Sequence, residues 1–205
     1  LIASKKSNVR NPDDLKGKNI SVSGNTFVEY ATDEVMKRAC LHPGEVNKPE
    51  INNIPLRLMM LEDGQISASF LPGPATAIAL NDGHTALLNT RQMGLRCTGI
   101  VFSEKAITEK DEEIRRFITG YNLGVKYLQT RPQNEWTEIL VKEFGLQEKA
   151  AMQIDLPDYR PATRPSYHDI EKIIAWLKSK GAIPDYYPGE NLVDTTFIPG
   201  TLKPQ

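Results

Sequence analysis

Asn19-Ile20-Ser21-Val22-Ser23-Gly24-Asn25-Thr26-Phe27-Val28-Glu29 is the stretch from which the fold is read. Residues 19 to 23 alternate apolar and polar side chains, the period of a strand with one buried face. Gly24-Asn25 breaks that pattern. Thr26 and Glu29 have the spacing of a capping box, in which hydroxyl and carboxylate each satisfy a free backbone N–H. Val28, Ala31, Val35, Met36 and Ala39 then recur at helical spacing and predict a helix over residues 27–40. A strand, a tight turn and a capped helix in direct succession form the unit of an α/β fold.

The same plan extends on both sides. Asn11-Pro12-Asp13-Asp14-Leu15 upstream reads as a short capped helical turn, and Pro43-Gly44 downstream ends the first helix. Residues 46–52 predict a strand. Ile54 to Glu62 predict a short helix with Leu56, Met59 and Met60 on its apolar side, and residues 66–71 a buried strand. Pro72-Gly73-Pro74 opens another helix that Gly83 stops, and residues 85–89 predict a further strand. Strands alternating with helices over short loops imply a mostly parallel sheet covered on both faces.

From residue 96 the character changes. One strand, residues 98–102, precedes a long helix whose inner face carries Ile107, Ile114, Phe117, Ile118, Tyr121, Val125 and Leu128. A second helix carries Trp136, Leu140, Val141 and Phe144, and a third has Ile170, Ile173, Ile174 and Leu177 as its buried stripe, ended by Gly181. These apolar faces have almost no sheet of their own to cover. The chain also opens on the strand-like Leu1-Ile2-Ala3 without a charged or secretory leader. Both features lead to the expectation that a further N-terminal segment supplies the missing sheet.

Composition narrows the function by exclusion. The chain has 205 residues, 40% hydrophobic and 25% charged, with 25 basic side chains against 26 acidic ones. A charge balance this even argues against a nucleic-acid or anionic-membrane surface as the main function. No apolar run approaches the roughly 20 residues that cross a bilayer. Cys40 and Cys97 make no disulfide framework and are read as small buried hydrophobes. His42, His84 and His168 are scattered without metal-ligand spacing, so no metal and no cofactor is expected. The charges between Glu104 and Arg116 read as the solvated face of a helix. There is no G-x-S-x-G elbow, Walker loop or H-E-x-x-H, and no case for catalysis.

Two loops carry the candidate chemistry. Ser23, Gly24, Asn25 and Thr26 stand between a strand's carboxyl end and a helix start, where N–H groups and the helix dipole favour an anion. Hydroxyl and amide side chains add donors without charge; the alternative is a capped turn with no ligand. Leu71, Pro72 and Gly73 hold the same topological position on a later strand, and loops so placed can face one crevice. Taken alone, this second loop also reads as a rigid proline-led entry to a helix.

The order of several short motifs resembles the solute-binding proteins of ABC importers, in the group related to nitrate-, sulfonate- and thiamine-precursor-binding proteins. Asp14-Leu15-Lys16-Gly17-Lys18-Asn19-Ile20-Ser21-Val22 is similar to an entry motif of the form DLKGK-x-I-x-V. Leu41-His42-Pro43-Gly44-Glu45-Val46 is similar to GL-x-P-x-DV, Leu61 to Ala68 to L-x-x-G-x-IDA, and Leu71-Pro72-Gly73-Pro74 to an LPEP loop. The chain departs from those patterns at three positions. Gly73 stands where an acidic residue is common, Ser67 where aspartate is, and Cys40 where glycine is.

The resemblance implies an α/β fold of the periplasmic binding protein type II kind. Residues 8–95 would be one complete lobe. Residues 1–7 and 96–205 would be hinge strands and the helical return of the other lobe, whose first part lies outside this chain. It further implies a monomeric, extracytoplasmic protein, periplasmic or lipid-anchored. Such a protein closes over a small anion or heterocycle and docks on an ABC permease in the membrane. Ser23 to Thr26 and Leu71 to Gly73 would be ligand contacts, and a single lobe would bind only weakly. Two other readings share the fold. One is a thiamine-pyrimidine biosynthesis enzyme, which uses a cysteine-rich iron-binding stretch that this sequence lacks. The other is the ligand-sensing domain of a signalling protein.

Overall fold

The computed structural model describes residues 1–96, 99–152, 154, 156 and 158–198. Its short strands are β1 (Ile2–Ala3), β2 (Ile20–Ser21), β3 (Ala68–Ser69) and β4 (Thr85–Ala86). Its helices among these residues are α1 (Phe27–Arg38), α2 (Ile54–Asp63), α3 (Gly73–Asn81), α4 (Glu104–Glu109), α5 (Asp111–Thr130), α6 (Gln133–Phe144), α7 (Glu148–Met152) and α8 (Tyr167–Ser179). Two compact units result, Leu1–Arg96 with Thr137–Leu156, and Cys97–Trp136 with Pro157–Gln205. This partition differs from boundaries at residues 8 and 95, because the first residues form a strand inside the first unit.

In that unit the sheet order is β2-β3-β1-β4. β2 and β3 are parallel, while β1 runs antiparallel to both β3 and β4. The sheet is therefore mixed, where alternation alone predicts a mostly parallel one. The stretch from β1 to β2 holds only a 3-10 turn at Pro12–Leu15 and no crossover helix, and an antiparallel relation requires none. That turn is capped as read from sequence: Asn11 Oδ1 accepts from the Asp13 and Asp14 N–H groups, and the Asp14 carboxylate accepts from Asn11 N–H.

Residues 46–52 form no continuous strand. They make isolated parallel bridges, Asn47 to Asn19 and Glu50 to Val22. Ile51 N–H donates to Val22 O at 2.8 Å, but Pro49 between the bridges has no N–H to give, which limits the ladder. The sheet is nevertheless covered on both faces, as expected. Leu1 and Ala3 join a core with Leu15, Ile20, Val35 and Phe70, and Ile2 joins a second core with Ile51, Leu61, Ile66 and Ala79.

Helix α1 buries Tyr30, Ala31, Thr32, Val35 and Met36. It ends in a Schellman motif, with Leu41 N–H donating to Met36 O at 2.9 Å and Cys40 left-handed at φ 52°. That geometry explains why glycine suits this position. Cys40 is exposed and not a buried hydrophobe; Cys97 lies outside the described residues.

Helix α2 faces the core differently from the pattern in its sequence. Leu56 and Met59 are 40% and 51% exposed, whereas Arg57 and Leu61 are buried. Asn53 caps the helix start by accepting from the Leu56 N–H at 2.9 Å, and Leu61 completes the second core. Proline-led α3 and the short α7, which has no counterpart in the sequence reading, pack on one another in the same unit.

His84 is buried beside β4, and its Nδ1 accepts the Lys5 N–H at 3.2 Å. Its Nε2 has no partner among the described residues. Desolvation, aided by Lys5 and Lys6 and opposed by Glu62 and Asp82, holds its pKa below the ordinary histidine value. The unfolded chain therefore takes up the proton first, and stability falls as pH drops below about 6.5 toward the lowered native value. We expect the thermal midpoint to decline across that window in the wild type, with a flatter profile in His84→Gln; parallel profiles would show that another group controls it.

In the second unit the expected long helix is two, because Lys110 leaves helical geometry at φ −131° and ψ 46° between α4 and α5. Residues 99–102 form no strand, and Thr98 lies outside the described residues. Val101 is solvent-exposed, so this apolar stretch has no sheet neighbour to cover it. Ile114 and Ile118 pack with Phe197, but Phe117 remains outside, edge-on to Phe102 at 5.7 Å. The charges around α5 form exposed i,i+4 pairs, Arg115 with Asp111 and Arg116 with Glu112, as a solvated face should. In the part of α6 that belongs to the first unit, Thr137 is buried and Phe144 exposed, contrary to the expected stripe.

Candidate functional site

The Ser23–Thr26 loop leaves the carboxyl end of β2 and starts α1. Thr26 is the N-cap: its Oγ1 accepts from Val28 N–H at 3.2 Å and donates to Ser23 O at 2.7 Å. The capping box is displaced by one residue. Thr26 N–H closes the tight turn onto Ser23 O, so the Glu29 carboxylate accepts instead from Asn25 N–H at 2.8 Å. Asn25 is left-handed at φ 55°, a conformation asparagine tolerates better than most side chains.

The donors expected to greet a ligand are partly engaged by the protein's own carboxylates. Glu29 holds the Asn25 amide, and its other oxygen lies 3.5 Å from Lys48 Nζ, which pairs at 2.7 Å with Asp33. Gly24 N–H donates to Glu50 Oε1 at 3.3 Å, and Asn52 Nδ2 donates to the same oxygen at 3.3 Å. Glu50 is exposed, and a Cβ on Gly24 would stand only 3.0 Å from its carboxylate. Glycine here lets an anionic oxygen approach the backbone.

The second loop begins at the carboxyl end of β3. Pro72 is the N-cap residue of α3 and provides no side-chain cap; Thr76 N–H donates to Pro72 O at 2.8 Å. Pro72 and Gly73 are exposed, Leu71 half-buried. A Cβ at Gly73 would meet nothing within 4 Å, so there is open room for a side chain at this position.

Arg57 joins the two loops, and the sequence reading missed it. From α2 its Nη2 donates to Ser23 Oγ and its Nη1 to Phe70 O, each at 3.1 Å. The residue is 3% exposed, and its Nε has no partner among the described residues. No carboxylate pairs with it among the described residues, and burial pulls its pKa below the ordinary arginine value. A signal was present: Arg57 is the sole charge in the apolar run Ile54 to Leu61. Ser23 is thus brought to the second loop through a guanidinium. No hydrogen bond ties Leu71, Pro72 or Gly73 directly to residues 23–26 among the described residues.

His42 and His168 are exposed. Among the described residues no group of three metal-binding side chains occurs, and no helix is long and apolar enough to cross a membrane.

A mixed α/β sheet with helix-opening loops at its strand carboxyl ends is an arrangement that the periplasmic binding protein type II fold shares. The chain belongs to the NMT1/THI5-like family, whose model matches residues 1–135. No curated protein matches it by sequence. Its fold is similar to the alkanesulfonate-binding protein SsuA of Xanthomonas axonopodis pv. citri bound to MOPS, at 19% identity and a TM-score of 0.74, covering 89% of this chain and 64% of that one. It is also similar to the periplasmic aliphatic sulphonate-binding protein SsuA of Escherichia coli, at 12% identity, a TM-score of 0.71, and coverage of 89% and 60%. A ligand-binding component of an ABC-type import system from Staphylococcus aureus, with zinc bound, matches at 12% identity, a TM-score of 0.67, and coverage of 89% and 63%. The chain therefore spans about 60% of the length of these structures.

Proposed function

We propose that this chain is part of the extracytoplasmic solute-binding component of an ABC importer and acts by binding, not catalysis. The observation that carries the reading is local. Two loops at the carboxyl ends of adjacent parallel strands are joined by one buried guanidinium, in a fold shared with sulfonate-binding proteins. Ser23, Gly24, Asn25 and Thr26 form the loop that meets a small anion or heterocycle, with the Gly24 N–H released by Glu50 as a donor and Thr26 holding the turn, and Leu71, Pro72 and Gly73 shape the wall beside them. Closure of two lobes over the ligand would select the form that a membrane permease recognises. The unit formed by residues 1–96, on which α7 packs through α3, would be one lobe, and α4, α5 and α8 would belong to the return into the other. A periplasmic or lipid-anchored monomer fits this work.

A thermal-shift screen of small sulfonates, nitrate and aminopyrimidines tests the reading. One class should raise the midpoint, by the equivalent of about 2.7 kcal/mol at a hundredfold excess over Kd. Gly24→Val should abolish that shift while leaving a folded protein, since its side chain would displace only the flexible end of Glu50. An unchanged midpoint with all three classes, or an equal shift in the variant, would sink the proposal.

A further inference from the structure

The Arg57 guanidinium is a buried charge without a buried counter-charge among the described residues. Two neutral acceptors, Ser23 Oγ and Phe70 O, take one hydrogen bond each, and Nε has no partner among the described residues. Taking an ion out of water costs several kcal/mol unless an opposite charge and further hydrogen bonds offset it. A clasp between two loops needs only neutral donors, such as a glutamine amide, so the loop contacts alone do not account for the charge. A binding site whose ligand brings the missing negative charge does.

We propose that Arg57 commits the Ser23–Gly24 loop to ligands bearing an anionic oxygen group, acting as a positioning residue through Ser23. This deepens the function proposed above and rests on it. Nη2 occupies Ser23 Oγ as an acceptor at 3.1 Å, which leaves the hydroxyl hydrogen as a polarised donor beside the Gly24 amide. Two adjacent donors backed by a positive charge favour an oxyanion over a neutral group of the same shape. Glu50 takes part in the same design. Its exposed carboxylate sits at 3.3 Å on the Gly24 N–H, where an oxygen of the ligand would bind. It is the protein's own stand-in for the ligand, and it must leave as the ligand enters.

Methanesulfonate and its neutral isostere methanesulfonamide separate the outcomes, with the Gly24 amide and Arg57 Nε–Hε signals followed by NMR in the purified chain. Methanesulfonate should shift both signals saturably, and methanesulfonamide should need at least a tenfold higher concentration for the same response. Arg57→Gln should weaken methanesulfonate at least tenfold and erase the preference between the two probes, whereas Glu50→Gln should tighten methanesulfonate about threefold. The two probes discriminate in the wild type alone, so the test survives if Arg57→Gln fails to fold. Equal responses to sulfonate and sulfonamide at Gly24 would overturn the role of Arg57 and leave the binding loop standing. Absence of any response at residues 23–26 to both probes would overturn the binding loop, and the Arg57 proposal with it.

Discussion

Leu61→Ala lowers the unfolding free energy by about 3 kcal/mol, whereas Leu56→Ala and Met59→Ala change it by less than about 0.5 kcal/mol each. All three residues lie on α2, and the sequence pattern ranks Leu56 and Met59 as the inward ones. The structure reverses that order. Leu61 is fully buried among Ile2, Ile51, Ile66 and Ala79, while Leu56 and Met59 keep about half of their surface in water. Removing the Leu61 side chain forfeits its transfer free energy and leaves a cavity that the sheet cannot collapse to fill. Its backbone adds a constraint, since Ser4 Oγ donates to Leu61 O at 2.7 Å and ties α2 to the residue following β1. Urea unfolding of the three variants decides the matter. A large loss at Met59 with a small one at Leu61 would mean that α2 is rotated relative to this description.

Ser69→Ala costs about 2 kcal/mol, and Ser21→Ala in the same chain recovers part of it. Ser21 and Ser69 are register partners across β2 and β3, both fully buried, and Ser21 Oγ donates to Ser69 Oγ at 2.8 Å. Deleting the Ser69 hydroxyl strands Ser21 Oγ without water to replace its partner, and desolvating that orphan costs more than the net worth of the hydrogen bond itself, whereas Ser69 Oγ also donates to Phe70 O at 3.3 Å and keeps a partner when Ser21 is removed. Deleting both removes the orphan. A double-mutant cycle by chemical denaturation should therefore give a coupling above about 0.5 kcal/mol. Strict additivity would show that the two hydroxyls act independently. The pair also aligns the site: Ser23 follows Ser21 by two residues, Phe70 follows Ser69 by one, and both are held by Arg57.

Short-range features were legible in the residues. The capped turn at Pro12–Leu15, the strand and helix on either side of Gly24-Asn25, and the proline-led start of α3 depend on backbone groups within a few positions of each other. The family pattern was legible for the same reason, because its motifs are those local turns in a fixed order. The shifted capping box shows the limit of this reading. Thr26 and Glu29 have the right spacing, but the left-handed turn at Asn25 gives the carboxylate a different amide.

What depended on distant neighbours was not legible. The antiparallel course of β1 is decided by β3 and β4, which lie more than sixty residues further along the chain. The inward face of α2 is decided by a core assembled from four other segments, so a run such as Ile54 to Leu61, apolar on every side but one, has no preferred face by periodicity. Arg57 is the extreme case. By type it belongs at the surface, and only the tertiary structure buries it between Ser23 and Phe70, with no carboxylate partner among the described residues. The sequence by itself determined the capped turn at Pro12–Leu15, the β2–turn–α1 unit and the proline-led start of α3, because those obey local hydrogen bonding and steric preference. The tertiary structure decided which face each helix buries and where an unpaired charge is held, because burial is a property of the assembled core.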